Sequence, residues 1–522
     1  MMRLKKTALI IFVLLIAFLA SGVLLPALNL TATLFEAESF SSFFSGYFFK
    51  CLINTILMGT GVALIACLAG FFIAFCIVSE NSRAAFWMKT LFPCALFAPS
   101  VMPAIGLIYL FGYNGLIVQT SLYGAVGIFL GALVFVLPHT TMQLMLALER
   151  FDTRLIDAAK SLGADTLTCM RKILLPHCKK AFINAFLIAF VLTITDFGVP
   201  KLLGGNFPML ATEIYNLAIG TQNMPAAAFL SLWLFAPAAL AFYFTSRNTD
   251  ATLTSQTIKP LRAKREGIFS VFRILAWCAI LYEVATIAIV IYGSFVTFWP
   301  YVPALTLDNY AFHNSTYGIR PWFNSVVLAS LVAVIGTLLA FTGAVIKTRL
   351  NCIAQSLSTL YTTLATFSLC IPGTVLGLAF AITYAGVSFF SGTVGAMVLL
   401  VFNCIIHLFT VSHLTATHTL ETIDSRYETV GQSLGVGVLS VLRRVTLPLA
   451  KTGFREVFCY FFASTLTTIS AVVFLYTPQT MPAAVAAIQM IDSGFISEGA
   501  AMSTLIFFSA LGVRLVMTKW IH

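Results

Sequence analysis

Twelve stretches of the chain are apolar for long enough to read as helices crossing a bilayer, each needing about 20 residues. They fall at roughly 7–28, 52–78, 90–112, 124–147, 182–199 and 226–246, then at 269–296, 323–346, 357–385, 393–416, 455–475 and 499–518. Between the two sets lies a polar stretch with Asn248, Thr249, Asp250 and Ser255 and a basic cluster of Lys259, Arg262, Lys264 and Arg265. It reads as a linker. The expected organisation is a first unit over 1–246, a linker over 247–268 and a second unit over 269–522. The expected fold class is all-α integral membrane. The basic start Met1 to Lys6 precedes an apolar run longer than the 7–15 residues of a signal peptide, so a retained first helix is expected.

Composition supports this reading. Of 522 residues, 59% are hydrophobic and only 9% charged, and the mean hydropathy is +0.96. A soluble globular chain carries about 25% charged residues, so water could not solvate this surface. The net charge of +11 is explained by topology rather than nucleic acid. With the N-terminus inside, 27 of the 30 Lys and Arg fall on the cytoplasmic side, beside anionic lipid, and only Lys50, Lys201 and Arg320 fall outside. The positive-inside rule requires such a split. Both termini are therefore expected in the cytoplasm, and six helices per half give two parallel repeats. The eleven Cys include no CxxC pair and act as small hydrophobes, so no metal site is expected.

The repeat is visible residue by residue. Leu148-Glu149-Arg150-Phe151-Asp152-Thr153-Arg154 matches Leu420-Glu421-Thr422-Ile423-Asp424-Ser425-Arg426 at an offset of 272. The same offset aligns Ser161-Leu162-Gly163 with Ser433-Leu434-Gly435, Arg171 with Arg443, Leu175-Pro176 with Leu447-Pro448, and Lys179 with Lys451. Both copies lie in the long cytoplasmic loop between the fourth and fifth helices of their half.

The first copy reads Asp157-Ala158-Ala159-Lys160-Ser161-Leu162-Gly163 and closes on Leu175-Pro176; the second reads Thr429-Val430-Gly431-Gln432-Ser433-Leu434-Gly435 and closes on Leu447-Pro448. The pattern resembles the EAA loop of ABC importer permeases. Gly163 and Gly435 suit the positive φ that ends a helix, and Pro176 and Pro448 mark re-entry into the membrane. The resemblance implies a type I importer permease fold and coupling loops over 149–180 and 421–452. It also implies partners: an ATPase subunit, in two copies for two loops, and an extracytoplasmic solute-binding protein. The copies depart from the family pattern. Asp157 replaces a Glu, Thr429 stands at that position with Glu428 one residue early, and Val430-Gly431 replace the Ala pair. No GxxxxGK[ST] loop occurs, so ATP belongs to the partner and the chain is not expected to be an enzyme.

Polar residues inside apolar helices are costly and face cavities or partners. Thr193, Thr195 and Asp196 close the fifth helix, and Thr465, Thr467, Thr468 and Ser470 close its counterpart. Pore lining and helix packing both fit these hydroxyls. Glu283 is a further path candidate. Asn54 and Asn324 suit helix caps. His407, His413 and His418 are spaced for packing rather than ligation.

The stretches TDFGVPKLLGG and TTISAVVFLYTP are similar to fused permeases of the ferric-iron and 2-aminoethylphosphonate importers, the latter most. The resemblance implies a small anion such as an organophosphonate as cargo, with ferric iron and sugar phosphate as alternatives. A secondary carrier with two parallel halves also fits the topology, but not the doubled loop.

Overall fold

The computed structural model describes residues 2–36, 43–79, 89–90, 92–248, 268–350 and 354–520. Most of the expected linker, including its basic cluster, lies outside these. The chain is an all-α membrane protein; the β-structure among described residues is one hairpin, β1 (Val296–Phe298) with β2 (Val302–Leu305).

Nine helices among the described residues are long and apolar enough to span a bilayer. They lie within α1 (Met2–Thr33), α2 (Gly46–Ser79), α4 (Ala125–Glu149), α6 (Leu175–Thr195), α9 (Met224–Asn248), α10 (Ile268–Ser294), α11 (Arg320–Arg349), α14 (Thr393–Glu421) and α18 (Ile496–Trp520). The remaining expected spans are broken or short. The run at 90–112 is a 3-10 segment, Phe92–Phe97, followed by α3 (Val101–Phe111). The run at 357–385 is α12 (Gln355–Phe367) and α13 (Gly373–Tyr384), whose axes turn by 111°. Pro372 causes this bend. It has no N–H to donate and forces Ile371 into extended backbone. The run at 455–475 stops as α16 (Lys451–Thr467), and its counterpart α6 stops at Thr195, four residues short of expectation. Asp196 and Thr468 are both extended at these stops, with ψ of 136° and 130°. Short helices follow: α7 (Gly198–Leu203) and α8 (Leu210–Tyr215) in the first half, α17 (Ala483–Asp492) in the second.

The first helix of each half crosses to the other half. α1 packs on α12, α13 and α14, and α10 packs on α2 and α3. Phe12 meets Tyr361 with centroids 4.7 Å apart, and the Tyr384 hydroxyl donates to the Ser21 carbonyl at 2.7 Å. On the other side, Gly106 of α3 lies against the Thr286 carbonyl and Gly293 against the Tyr109 ring. A side chain at either glycine would collide there, so their absence of Cβ sets how closely α10 approaches.

Asn54 and Asn324 do not cap their helices. The Asn54 amide donates to the Pro208 carbonyl at 3.1 Å, and Asn324 donates to Gln479 and Met481 carbonyls at 2.9 and 3.2 Å. Their neighbours Thr55 and Ser325 accept from the backbone N–H of Leu210 and Ala483 at 2.9 and 2.7 Å. Each pair thus pins the chain where it returns after the broken helix. Thr55→Ala or Ser325→Ala leaves a buried N–H unpaired, costing about 1–3 kcal/mol. Thermal unfolding of the purified chain should show a lower midpoint for both and none for Thr60→Ala, whose hydroxyl only returns to its own helix.

Candidate functional site

The repeated loop folds twice in the same way. Asp152 and Asp424 accept from the N–H two residues on, at 3.0 and 2.9 Å, and so start α5 (Arg154–Ser161) and α15 (Arg426–Ser433). Ser161 and Ser433 return their hydroxyls to the carbonyls of Asp157 and Thr429. Gly163 and Gly435 have φ of +84° and +73°. They close each helix through Ala164 N–H to Ala159 and Val436 N–H to Gly431, at 3.0 and 2.8 Å. A further turn, Thr166–Cys169 or Val438–Val441, leads into a π-helical turn, Met170–Leu174 or Leu442–Thr446. Pro176 and Pro448 follow immediately. A proline leaves the carbonyl four residues back without its donor, and the wider turn absorbs that defect as the chain re-enters the membrane.

Asp157, Ala158, Thr429 and Val430 are exposed, as are Pro176 and Pro448. Ala159 is half-buried. Gly431 is buried, and a Cβ there would run into Val441 of its own loop. Its small size therefore serves packing inside the loop. The first copy carries Ala159 and the smaller Cys169 at the two equivalent positions. Among polar neighbours, each short helix exposes apolar side chains: Leu162 is 89% and Leu434 75% exposed, with Leu155 and Tyr427 exposed as well.

Glu428 turns inward instead. It forms a salt bridge to Arg349 at 3.2 Å, with side chains 8% and 4% exposed, and accepts from the Thr446 hydroxyl at 2.8 Å. Arg349 also donates to the carbonyls of Leu420 and Ile423. The sequence reading missed this clamp, because Glu428 was weighed only as a displaced motif residue. Its signal was a lone Arg ending an apolar run. The first half places Ile156 and Leu174 at the positions of Glu428 and Thr446, and both join an apolar cluster there.

The path candidates gather where α6 and α16 stop. The Asp196 carboxylate is buried and accepts from the N–H of Gly198 and Val199 at 3.2 and 3.0 Å, which caps α7. Gly198 faces Ile469 of the other half, and Tyr215 meets Phe474 at 6.0 Å, so the two stops meet across the halves. Thr195 and Thr467 bond to carbonyls of their own helices. Thr468 and Ser470 are half-buried, with Ser470 against Gly373. Glu283 lies elsewhere, buried on the face of α10 that carries Thr286, and its Oε2 has no partner. Lys201 pairs with Asp492 across the halves at 3.4 Å. It borders a cavity of about 370 Å³ with Tyr47, Asn206, Thr212, Glu213 and Asn216. His413 is packed, its ring bonded to Tyr361 and Thr417. No group of three His, Cys, Asp or Glu suited to a metal occurs among the described residues.

Crossed apolar helices and two loops of one repeated form belong to a multi-pass membrane protein. Residues 66–250 match the family described as binding-protein-dependent transport system inner membrane component. The ferric transport system permease protein FbpB of Actinobacillus pleuropneumoniae is 22% identical over 498 residues, covering 91% of this chain and 72% of that protein. A putative ferric transport system permease of Haemophilus influenzae is 22% identical over 456 residues, covering 83% and 71%. The spermidine/putrescine permease PotC of Escherichia coli is 26% identical over 165 residues, covering 31% and 61%. Residues 66–250 therefore carry an inner membrane component domain of binding-protein-dependent transport, and most of the chain is similar to ferric transport permeases. That family implies an ATPase and a binding protein as partners.

Removing one partner of a buried ion pair costs about 3–5 kcal/mol, whereas replacing the whole set by apolar residues is often neutral. Glu428→Ala should therefore destabilise the second loop and reduce monodisperse yield. The triple change Arg349→Leu, Glu428→Ile, Thr446→Leu should restore yield on size-exclusion chromatography.

Proposed function

We propose that the chain forms the whole transmembrane pathway of an importer as two repeats, 1–246 and 269–522, joined by a linker. Two ATPase copies engage it, one at α5 and one at α15. The observation that carries this reading is the doubled short helix ending in a left-handed glycine, with its leucine left exposed. Asp157, Ala158, Ala159, Gly163 and Pro176 form one coupling element, and Thr429, Val430, Gly431, Gly435 and Pro448 the other. Both termini lie in the cytoplasm of a bacterial inner-membrane arrangement, as the charge split supports. A thiol placed at Leu162 in a Cys-depleted chain should label only from the cytoplasmic side, and one at Tyr301 only from outside.

The cargo we infer is ferric iron. The printed names of the relatives covering most of the chain favour it, and none of those named carries phosphonate, so the phosphonate expectation draws no support from them. The path residues we propose are Thr195, Asp196, Thr467, Thr468 and Ser470; Glu283, buried apart from them on α10, is a separate candidate. Carboxylate and hydroxyl oxygens suit a hard cation. A deletion strain lacking redundant systems should lose uptake of iron from the binding protein and keep uptake of 2-aminoethylphosphonate; the reverse result rejects the cargo.

Gly163→Asp and Gly435→Asp each place a Cβ and a charge on a left-handed residue. Each should abolish binding-protein-stimulated ATP hydrolysis without lowering the yield of folded chain. Asp157→Ala should weaken ATPase co-purification more than Thr429→Ala, since only Asp157 presents a charge. Equal, negligible effects of both glycine changes would remove the coupling role.

A further inference from the structure

One face of α14 carries Asn403, His407 and Thr410, spaced four and three residues apart, so they form one stripe. The stripe runs along the break in the neighbouring helix. Thr410 bonds to the Ser368 hydroxyl at 2.7 Å and the Ala365 carbonyl at 2.6 Å, on the α12 side of the break. His407 stands next to Ser470 where both press on Gly373, the first residue of α13. The Asn403 amide donates to the Ala471 carbonyl at 2.9 Å. Two hydrogen-bonding atoms on this stripe are left over: Asn403 Oδ1 and His407 Nδ1 are buried without a partner. His407 as a whole is only half-buried, so its ring borders accessible space.

The first half carries no polar side chain at the matching positions, although its α4 buries Thr140 and Thr141 nearby. At the offset of 272, Asn403, His407 and Thr410 correspond to Gly131, Phe135 and Pro138, and Ser470 to Gly198. The same backbone therefore packs without a polar stripe, and packing alone does not account for these residues. Buried polar groups left unpaired beside a broken membrane helix are expected where a solute passes.

We propose that Asn403 and His407, together with Ser470, are the second half's contribution to the solute path, where their free acceptors take hydrogen bonds from the water shell of a cation in transit. The first half contributes the Asp196 carboxylate, so the path is lined unequally. This rests on the proposed importer function and its ferric cargo.

The test uses the full chain with its ATPase and iron-loaded binding protein in proteoliposomes. His407→Leu should lower iron uptake at least 10-fold while stimulated ATP hydrolysis stays within twofold. His407→Gln, which keeps an acceptor, should recover at least a third of uptake. The thermal midpoint of His407→Leu should be unchanged or raised, because a buried orphan atom has gone. Uptake within twofold of the unsubstituted chain overturns the proposal. So does loss of uptake together with hydrolysis, or with a lowered midpoint, since coupling or packing would then explain it. If the unsubstituted chain itself takes up no iron, the ferric reading fails, and the cation-shell role with it.

Discussion

In hydrocarbon a backbone amide or carbonyl finds no water, so every break in a membrane helix must be satisfied from within the protein. This chain breaks its apolar runs four times, near Pro99, Pro372, Asp196 and Thr468. Much of its buried polar chemistry answers that constraint. Asp196 takes up the first N–H groups of α7, and Asn403 takes up the Ala471 carbonyl. Thr55 and Ser325 take up N–H groups of the returning chain. A side chain that is conspicuous by polarity is thus often first a backbone partner. What separates His407 Nδ1 and the Oδ1 of Asn403 is that they answer no backbone group at all.

The spans were legible because transfer energy sums over some 20 residues, and no single residue decides the outcome. The breaks were not, because a broken helix stays apolar. Pro372 interrupts 357–385 without lowering its hydropathy, and the bend is a hydrogen-bonding event that hydropathy does not register. The two repeated loops were legible for a different reason. Gly163 and Gly435 sit where only a left-handed residue closes the helix, and the offset repeats that requirement. Asn54 and Asn324 read as helix caps in sequence, but they lie inside α2 and α11 and meet carbonyls about 155 residues away. Glu428 was invisible for the same reason: its meaning depends on Arg349, in another helix.

The halves share a backbone but settle its contacts separately. Where the first half sets Ser100 against Gly198, the second sets Gly373 against Ser470, so hydroxyl and hydrogen have changed sides of one contact. Where the first has Ala159 with Cys169, the second has Gly431 with Val441. Where the first closes its loop with Ile156 and Leu174, the second uses Glu428, Thr446 and Arg349. Each exchange conserves something: volume in two cases, a filled site in the third. Close packing constrains the pair and not its members, so such a swap does not by itself assign a function.

The α14 stripe conserves nothing of this kind. Replacing Gly131 and Phe135 by Asn403 and His407 adds buried hydrogen-bonding atoms without adding partners for them. An unpaired buried polar atom costs stability, whereas an apolar pair at the same positions does not. The first half demonstrates that the backbone tolerates the apolar solution. The costly solution on one side only is therefore not explained by folding, and it places the chemical difference between the halves beside the bend at Pro372.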